Sequence, residues 1–230
     1  MPNVPKWVAD QMENLLPSKF MNIEVGDISQ YSREIKVITF HTDLSKIDCF
    51  PGSAINFRVS DTEIRHYTPV DFNKTNGTFD IYFHIHGNGP GSHLADQLTP
   101  GDHLKVSVPG GRKIYDPGKH THFFFGDETS LGFYISLLGE INKNNGKAFG
   151  IFELNEPDLP TPYNIRIVPK TPDAALAELD KYINEYREAI FYLTGNVASV
   201  QQFRTALKKH DVSSRNIKLQ GYWAEGSVGL

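Results

Sequence analysis

The feature that most limits how this chain can fold is a change of rhythm at Pro109-Gly110-Gly111. Before that point the sequence reads as short strands. Alternating or apolar runs cover Phe20 to Val25, Glu34 to Phe40, Ala54 to Val59, Thr78 to Ile85 and His103 to Val108, separated by turns such as Phe50-Pro51-Gly52 and Asn76-Gly77. Many short strands with frequent turns predict an antiparallel barrel or sandwich. After it, strands alternate with helices. His122 to Phe125, Ala148 to Glu153, Asn164 to Val168 and Ala189 to Leu193 read as strands, and Ser130 to Asn142, Thr171 to Arg187 and Val197 to Lys209 as helices. Thr171-Pro172-Asp173 carries a threonine cap followed by proline at the first helical position. Alternation of this kind predicts a mainly parallel, layered sheet. The expected organisation is a β-barrel over residues 1–115, with a short N-terminal helix, and a doubly wound α/β domain over 116–230.

Composition narrows the function classes. A net charge of −4, with histidine neutral, argues against a nucleic-acid partner, which calls for a basic face. Cys49 is the only cysteine, so the chain forms no internal disulfide and cannot supply the four thiolates of an iron–sulfur cluster. Redox chemistry on such a chain needs an organic cofactor or a partner. Trp7, Val8, Met12, Leu15 and Leu16 recur at helical spacing between charged residues and predict a short amphipathic helix rather than a signal peptide. No run approaches the ~20 apolar residues of a membrane span, and the expected location is the cytoplasm.

Two constellations carry chemistry. The first is Arg65-His66-Tyr67-Thr68-Pro69. In an extended segment Arg65 and Tyr67 share one face and Thr68 takes the other. Arginine suits a phosphate through bidentate charge-assisted bonds, tyrosine offers a flat apolar surface, and Thr68 supplies a hydrogen-bonding group. The same residues also fit a strand with a surface arginine and a half-buried tyrosine.

The second runs from His84 to Ser92, His-Ile-His-Gly-Asn-Gly-Pro-Gly-Ser, and leads from a strand into a short helix, His93 to Leu98. Glycines such as Gly87 and Gly91 let backbone approach a ligand, and Ser92 stands at a helix N-terminus suited to an anion. A plain glycine-rich turn with Ser92 as helix cap fits equally. His84 and His86 share a strand face, with His93 a conceivable third ligand, but two alternating histidines without a neighbouring carboxylate are a poor zinc signature, and no metal is expected.

Together these segments resemble the siderophore-interacting protein family, flavin-dependent ferric-siderophore reductases within the ferredoxin–NADP reductase superfamily. The resemblance rests on Arg65-His66-Tyr67-Thr68, on His86-Gly87-Asn88-Gly89-Pro90-Gly91-Ser92, and on Pro100-Gly101-Asp102. It continues in Gly126-Asp127-Glu128-Thr129-Ser130-Leu131 and in Lys218-Leu219-Gln220-Gly221-Tyr222-Trp223, spanning roughly residues 20 to 226 in order. It implies an antiparallel Greek-key FAD-binding barrel followed by a Rossmann-like nicotinamide-binding domain.

By that resemblance Arg65 and Ser92 hold the FAD pyrophosphate, Tyr67 stacks on the flavin ring and Thr68 stands near its reactive nitrogen. His66, His84, His86, Gly87 and Gly91 belong to the same flavin-binding segments. Gly126, Asp127, Glu128 and Thr129 form the turn after the first strand of the nicotinamide domain, and Gly195-Asn196 a second such turn. Lys218 lies near the ferric substrate and Trp223 close to the flavin-facing end. The chain departs from the family pattern at Pro69-Val70, where many members place a second basic residue, at Gly132, usually proline, and at Asn196, usually glutamate.

The implied activity passes electrons from NADH or NADPH through FAD to a ferric siderophore or other ferric chelate, releasing Fe(II). A flavin can accept electrons in pairs and pass them on singly. Glu153, at the end of the second parallel strand, stands where dinucleotide folds place an acid on the ribose 2′-hydroxyl, which favours NADH. A general NAD(P)H:flavin or electron-transfer reductase with a protein partner is a second expectation, and a non-catalytic siderophore- or flavin-binding protein a third.

Overall fold

The computed structural model describes residues 5–156, 164–171 and 173–226. The chain divides into two compact units, Met1–Lys113 and Ile114–Leu230.

The first unit opens with helix α1 (Lys6–Leu15) and then builds β1 (Phe20–Gln30), β2 (Ile35–His41), β3 (Ile55–Arg58), β4 (Ile64–Tyr67), β5 (Val70–Asn73), β6 (Thr78–His84), α2 (Pro90–Gln97) and β7 (His103–Ser107). The strands form one antiparallel sheet in the order β4-β3-β7-β1-β2-β6-β5, curled into a half-barrel. Alternation drives the curl. In β6 every second residue, Phe79, Ile81 and Phe83, is buried, and these join Ile23, Val25, Ile38, Phe40 and Phe57 in a single core. β1 runs five residues past the expected Val25 because its register with β2 shifts between Val25 and Ile28, a bulge that interrupts the alternation.

Helix α1 forms where its periodicity predicts it, but Trp7 and Leu15 stay outside, 65% and 75% exposed. Ion pairs hold the helix instead, from Asp10 to Arg58 at 2.7 Å and from Lys6 to Asp61 at 3.1 Å.

The second unit contains β8 (Thr121–Asp127), α3 (Leu131–Lys143), β9 (Lys147–Glu153), β10 (Ile165–Val168), α4 (Ala174–Tyr186), β11 (Ile190–Asn196), α5 (Val197–Lys209) and β12 (Ile217–Trp223). The sheet is parallel, in the order β10-β9-β8-β11-β12. Connections run outward from β8 through β9 to β10, then return to β11 and β12, so strand order reverses between β8 and β11. Ligands of doubly wound sheets bind at the carboxyl ends of the strands at such a point.

Six of the seven residues of β8 are buried, as a central strand covered on both faces requires. Phe123 and Phe125 pack with Leu179 and Ile183 of α4 and Phe203 and Leu207 of α5. Phe124 faces the other way, 4.6 Å from the ring of Tyr134 on α3 and 5.0 Å from Tyr192. The expected threonine cap on α4 does not form: the helix begins at Ala174 with Asp173 as its N-cap, and Pro172 lies outside the described residues.

Candidate functional site

In the first unit the two sequence constellations meet at the N-terminus of α2. Arg65 and Tyr67 lie on β4, opposite Phe57 and Ile55 of β3. The strand stops at Tyr67, so Thr68 and Pro69 occupy the break before β5. The Tyr67 ring packs edge-on to Phe57 at 5.3 Å and tilts against Phe83 at 4.6 Å. Burial pushes its hydroxyl up to about 12, so the phenol keeps its proton throughout the neutral range.

α2 starts three residues earlier than its sequence pattern indicates. Gly89 is the N-cap at φ +82°, Pro90 takes the first helical position and Ser92 sits within the first turn. Ser92 therefore does not cap the helix. It is buried, and its Oγ accepts the backbone N–H groups of His86 at 3.1 Å and Gly87 at 3.2 Å, which folds the glycine turn back over the helix start. No side chain caps α2. The N–H groups of Gly91 and Ser92, being in the first turn, have no intrahelical partner, and Pro90 has none to satisfy.

Gly91 is what lets the two elements touch. A Cβ there would stand 2.5 Å from the Tyr67 hydroxyl and 3.3 Å from Cγ of Arg65. Arg65, Tyr67 and the open helix turn thus form one contiguous surface. Lys36 on β2 secures the far end of the helix by donating to the carbonyls of Ala95 at 2.8 Å and Asp96 at 3.0 Å.

His66 points elsewhere, bonded to Asn56 across the β3–β4 pair. The His84 Nε2 faces Glu34 Oε2 at 3.4 Å, a carboxylate fifty residues distant that sequence spacing does not reveal. His86 is exposed, with its ring 5.1 Å from that of His84, and His93 donates from Nε2 back to the Gly87 carbonyl at 3.0 Å.

In the second unit, the carboxyl ends of β8, β11 and β12 converge on Asp127. Its Oδ1 accepts the N–H and hydroxyl of Thr129, and its Oδ2 accepts the N–H of Asn196 at 2.9 Å and the indole N–H of Trp223 at 2.8 Å. Burial raises the Asp127 carboxyl above the usual carboxylate range, against the lowering effect of its Thr129 and Trp223 bonds. Gly195, at φ +101°, is required beside it, because a Cβ would enter the carboxylate at 2.5–2.9 Å. Gly126 packs against the Ser130 side chain and the Thr194 hydroxyl.

Glu128 is also buried and internally engaged: Lys170 reaches its Oε2 at 2.6 Å and the Asn155 N–H its Oε1 at 2.8 Å. Glu153 ends β9 in register with Asp127. Burial raises its pKa, a hydrogen bond from Ser199 opposes that, and the Asp127 charge adds to it. Thr129 is open to solvent, and Trp223 is 39% exposed on edge strand β12. Lys218 lies on the same strand, paired with Tyr192, and is partly exposed. No helix among the described residues is long and apolar enough to cross a membrane.

Known proteins with this architecture are consistent with both halves. Residues 22–115 match the family described as the oxidoreductase FAD-binding domain. The siderophore-interacting protein SipS from Aeromonas hydrophila is similar over 91% of this chain and 93% of its own, with a TM-score of 0.74 at 20% identity. The siderophore-interacting protein from Acinetobacter baumannii aligns over 91% and 92%, with a TM-score of 0.77 at 20% identity. Ferredoxin-NADP+ reductase from Plasmodium falciparum aligns over 88% and 96%, with a TM-score of 0.71 at 14% identity. Among curated sequences, NADH–cytochrome b5 reductase 1 of Arabidopsis thaliana is 28% identical over 113 residues, 46% of this chain but only 40% of that protein. Residues 22–115 thus match the oxidoreductase FAD-binding domain family, in a chain that shares its fold with siderophore-interacting proteins and a ferredoxin-NADP+ reductase.

Proposed function

We propose that the protein is a flavin-dependent reductase that takes electrons from NADH or NADPH and passes them through FAD to a ferric siderophore or similar ferric chelate, releasing Fe(II). The observation that carries this reading is the surface formed by Arg65, Tyr67 and the first turn of α2 inside an FAD-binding domain. It combines a cation, two unpartnered helix N–H groups and an aromatic ring, the donor set that a flavin dinucleotide needs.

The glycines make the fit physical. Gly87 and Gly89 hold left-handed conformations, and a Cβ on Gly87 would meet nothing within 4 Å, so the turn leaves open space above the helix start. In this reading the α2 turn and Arg65 hold the diphosphate, and Tyr67 and Thr68 border the flavin ring, with His86 and Gly87 alongside. When bound, FAD supplies the change from paired to single electrons that reduction of Fe(III) needs. The chain's residues bind and orient it. Tyr67, with its proton held by burial, contributes a surface and a neutral hydroxyl rather than an acid or base.

In the second unit the dinucleotide donor belongs at the β8–β11 reversal, over the turns Gly126–Thr129 and Gly195-Asn196, with Glu153 favouring NADH over NADPH. Lys218 is the candidate contact for an anionic ferric chelate. The likeness to siderophore-interacting proteins over nine-tenths of the chain supports a chelate as acceptor. The sequence likeness to NADH–cytochrome b5 reductase supports a second reading, in which the acceptor is a protein.

Anaerobic mixing of the FAD-loaded protein with NADH or NADPH should bleach the flavin absorbance. Addition of a ferric siderophore should restore it, with Fe(II) captured by a colorimetric chelator. Bleaching without reoxidation by any ferric chelate would favour the protein acceptor. Absence of bleaching with either nucleotide would leave a binding protein.

A further inference from the structure

Arg65 is held by the protein's own acceptors. Its Nη2 donates to Glu63 Oε1 at 2.9 Å and its Nη1 to the Ile64 carbonyl at 3.0 Å. Glu63 in turn is fixed by the β3–β4 hairpin. Its second oxygen accepts the Ser60 hydroxyl at 3.2 Å, its N–H returns to Ser60 Oγ at 3.1 Å, and its carbonyl accepts the Val59 N–H at 2.9 Å. The guanidinium therefore hangs from a carboxylate that is itself bonded within the hairpin, while the arginine stem lies against Gly91 at the start of α2.

A guanidinium has five N–H donors. Two are spent on Glu63 and Ile64, which leaves three, and the orientation of those three is set by the two already used. We propose that Glu63 is a positioning residue for the flavin diphosphate: it holds Arg65 in one orientation beside the open turn of α2, so that the remaining donors meet the anion without a search. The proposal rests on the assignment of Arg65 to the diphosphate made above.

Two effects of Glu63 oppose each other. An arginine ordered in advance loses less rotamer freedom on capture, which tightens binding. A carboxylate near a diphosphate repels it, which weakens binding. The side chains of Arg65 and Glu63 are 27% and 18% exposed, at the boundary with water, where solvent screens the repulsion but does not undo the orientation. Orientation is the larger effect, and its signature is that all of Glu63's influence passes through Arg65.

The test titrates the full-length protein, freed of flavin, with FAD and follows flavin fluorescence. Glu63→Ala should raise the Kd about tenfold, and Glu63→Gln, which keeps an oxygen acceptor for Nη2, should return it to within about threefold of wild type. In an Arg65→Ala background Glu63→Ala should change nothing further. Should Glu63→Ala lose its fold by circular dichroism, Glu63→Asp, one methylene too short for the same reach, takes its place with the same expected loss. A tighter Kd for Glu63→Ala would overturn the proposal by making Glu63 a competitor for Arg65. A loss that persists in the Arg65→Ala background would overturn it by making Glu63 merely structural. An Arg65→Ala Kd equal to wild type would instead remove the diphosphate assignment itself.

Discussion

Each unit of the protein contains a strand that ends in a glycine-bearing turn and runs into a helix, and the two finish that turn in opposite ways. After β6 the turn leads into α2 with glycine at the N-cap and no side-chain cap, so no cap takes up its first-turn N–H groups. After β8 the Asp127 carboxylate takes the Thr129 N–H, and after β11 the Asn196 side chain takes the N–H of Ser199 at 3.1 Å. One turn is open to an external anion, while the others already carry their own oxygen acceptors, one of them a buried acid. A helix N-terminus is thus an anion site only where the chain leaves it uncapped. On the proposed function, a flavin diphosphate would be gripped at the α2 turn, whereas a dinucleotide in the second unit would be held with less help from helix termini.

The comparison is most severely tested at Asp127. Asp127→Ala strands four donors of part-buried hydrogen bonds, and unfolding in denaturant should show a loss of about 3–5 kcal/mol, borne by the second unit. A loss below about 1 kcal/mol would mean that water replaces the carboxylate and that these turns are not closed.

Next in size is Arg65→Ala, expected to weaken FAD binding by roughly 1.5–3 kcal/mol for a lost charge-assisted bond. Gly91→Ala asks the same question sterically. Its Cβ would collide with the Tyr67 hydroxyl, and the shift of α2 should cost about 1–3 kcal/mol in FAD affinity or stability, readable as a changed flavin spectrum or melting temperature.

The smallest effect is electrostatic. The folded-state pKa of Glu153 is raised above its unfolded value, so the protein binds a proton there more readily when folded. Stability from this group is present below the ordinary carboxylate pKa and is lost as pH rises through the raised one. Glu153→Gln should flatten that part of the melting-temperature profile on the acid side of neutrality. The same variant should narrow the expected preference for NADH over NADPH in steady-state KM values, and an NADPH preference in the wild type would contradict the role given to Glu153.

What was legible in the sequence was what local periodicity encodes. The strand-rich half, the alternating half and helix α5, placed at Val197–Lys209, all follow from patterns a few residues long. Elements stabilised from a distance were not. β12 lacks the apolar alternation of a core strand because it is a sheet edge, paired on one side only with β11. β5 is four residues long and includes Asp71 at φ +49°, so no pattern marks it.

The candidate site divides in the same manner. Arg65, Tyr67 and the Gly87–Ser92 turn could be singled out because each lies in a compact motif, and the structure places Arg65, Tyr67 and Gly91 in contact. The acceptor role of Ser92 toward His86 and Gly87 could not be read, since it depends on where the helix begins. Asp127 and Trp223 each lie in a motif, but nothing in residues 96 positions apart announces a hydrogen bond. Glu63 carries no sequence signal, because its significance lies in a hairpin turn rather than a motif.

The convergence on Asp127 also bears on how the second unit opens. Edge strands ordinarily fray first, and their amides exchange with solvent before those of the sheet centre. Here the last residue of the edge strand is pinned, through its indole, to the last residue of the central one. Amide exchange at the carboxyl end of β12 should therefore track that of β8, while its amino end, without such a tie, exchanges earlier. The edge strand would unzip from one end only.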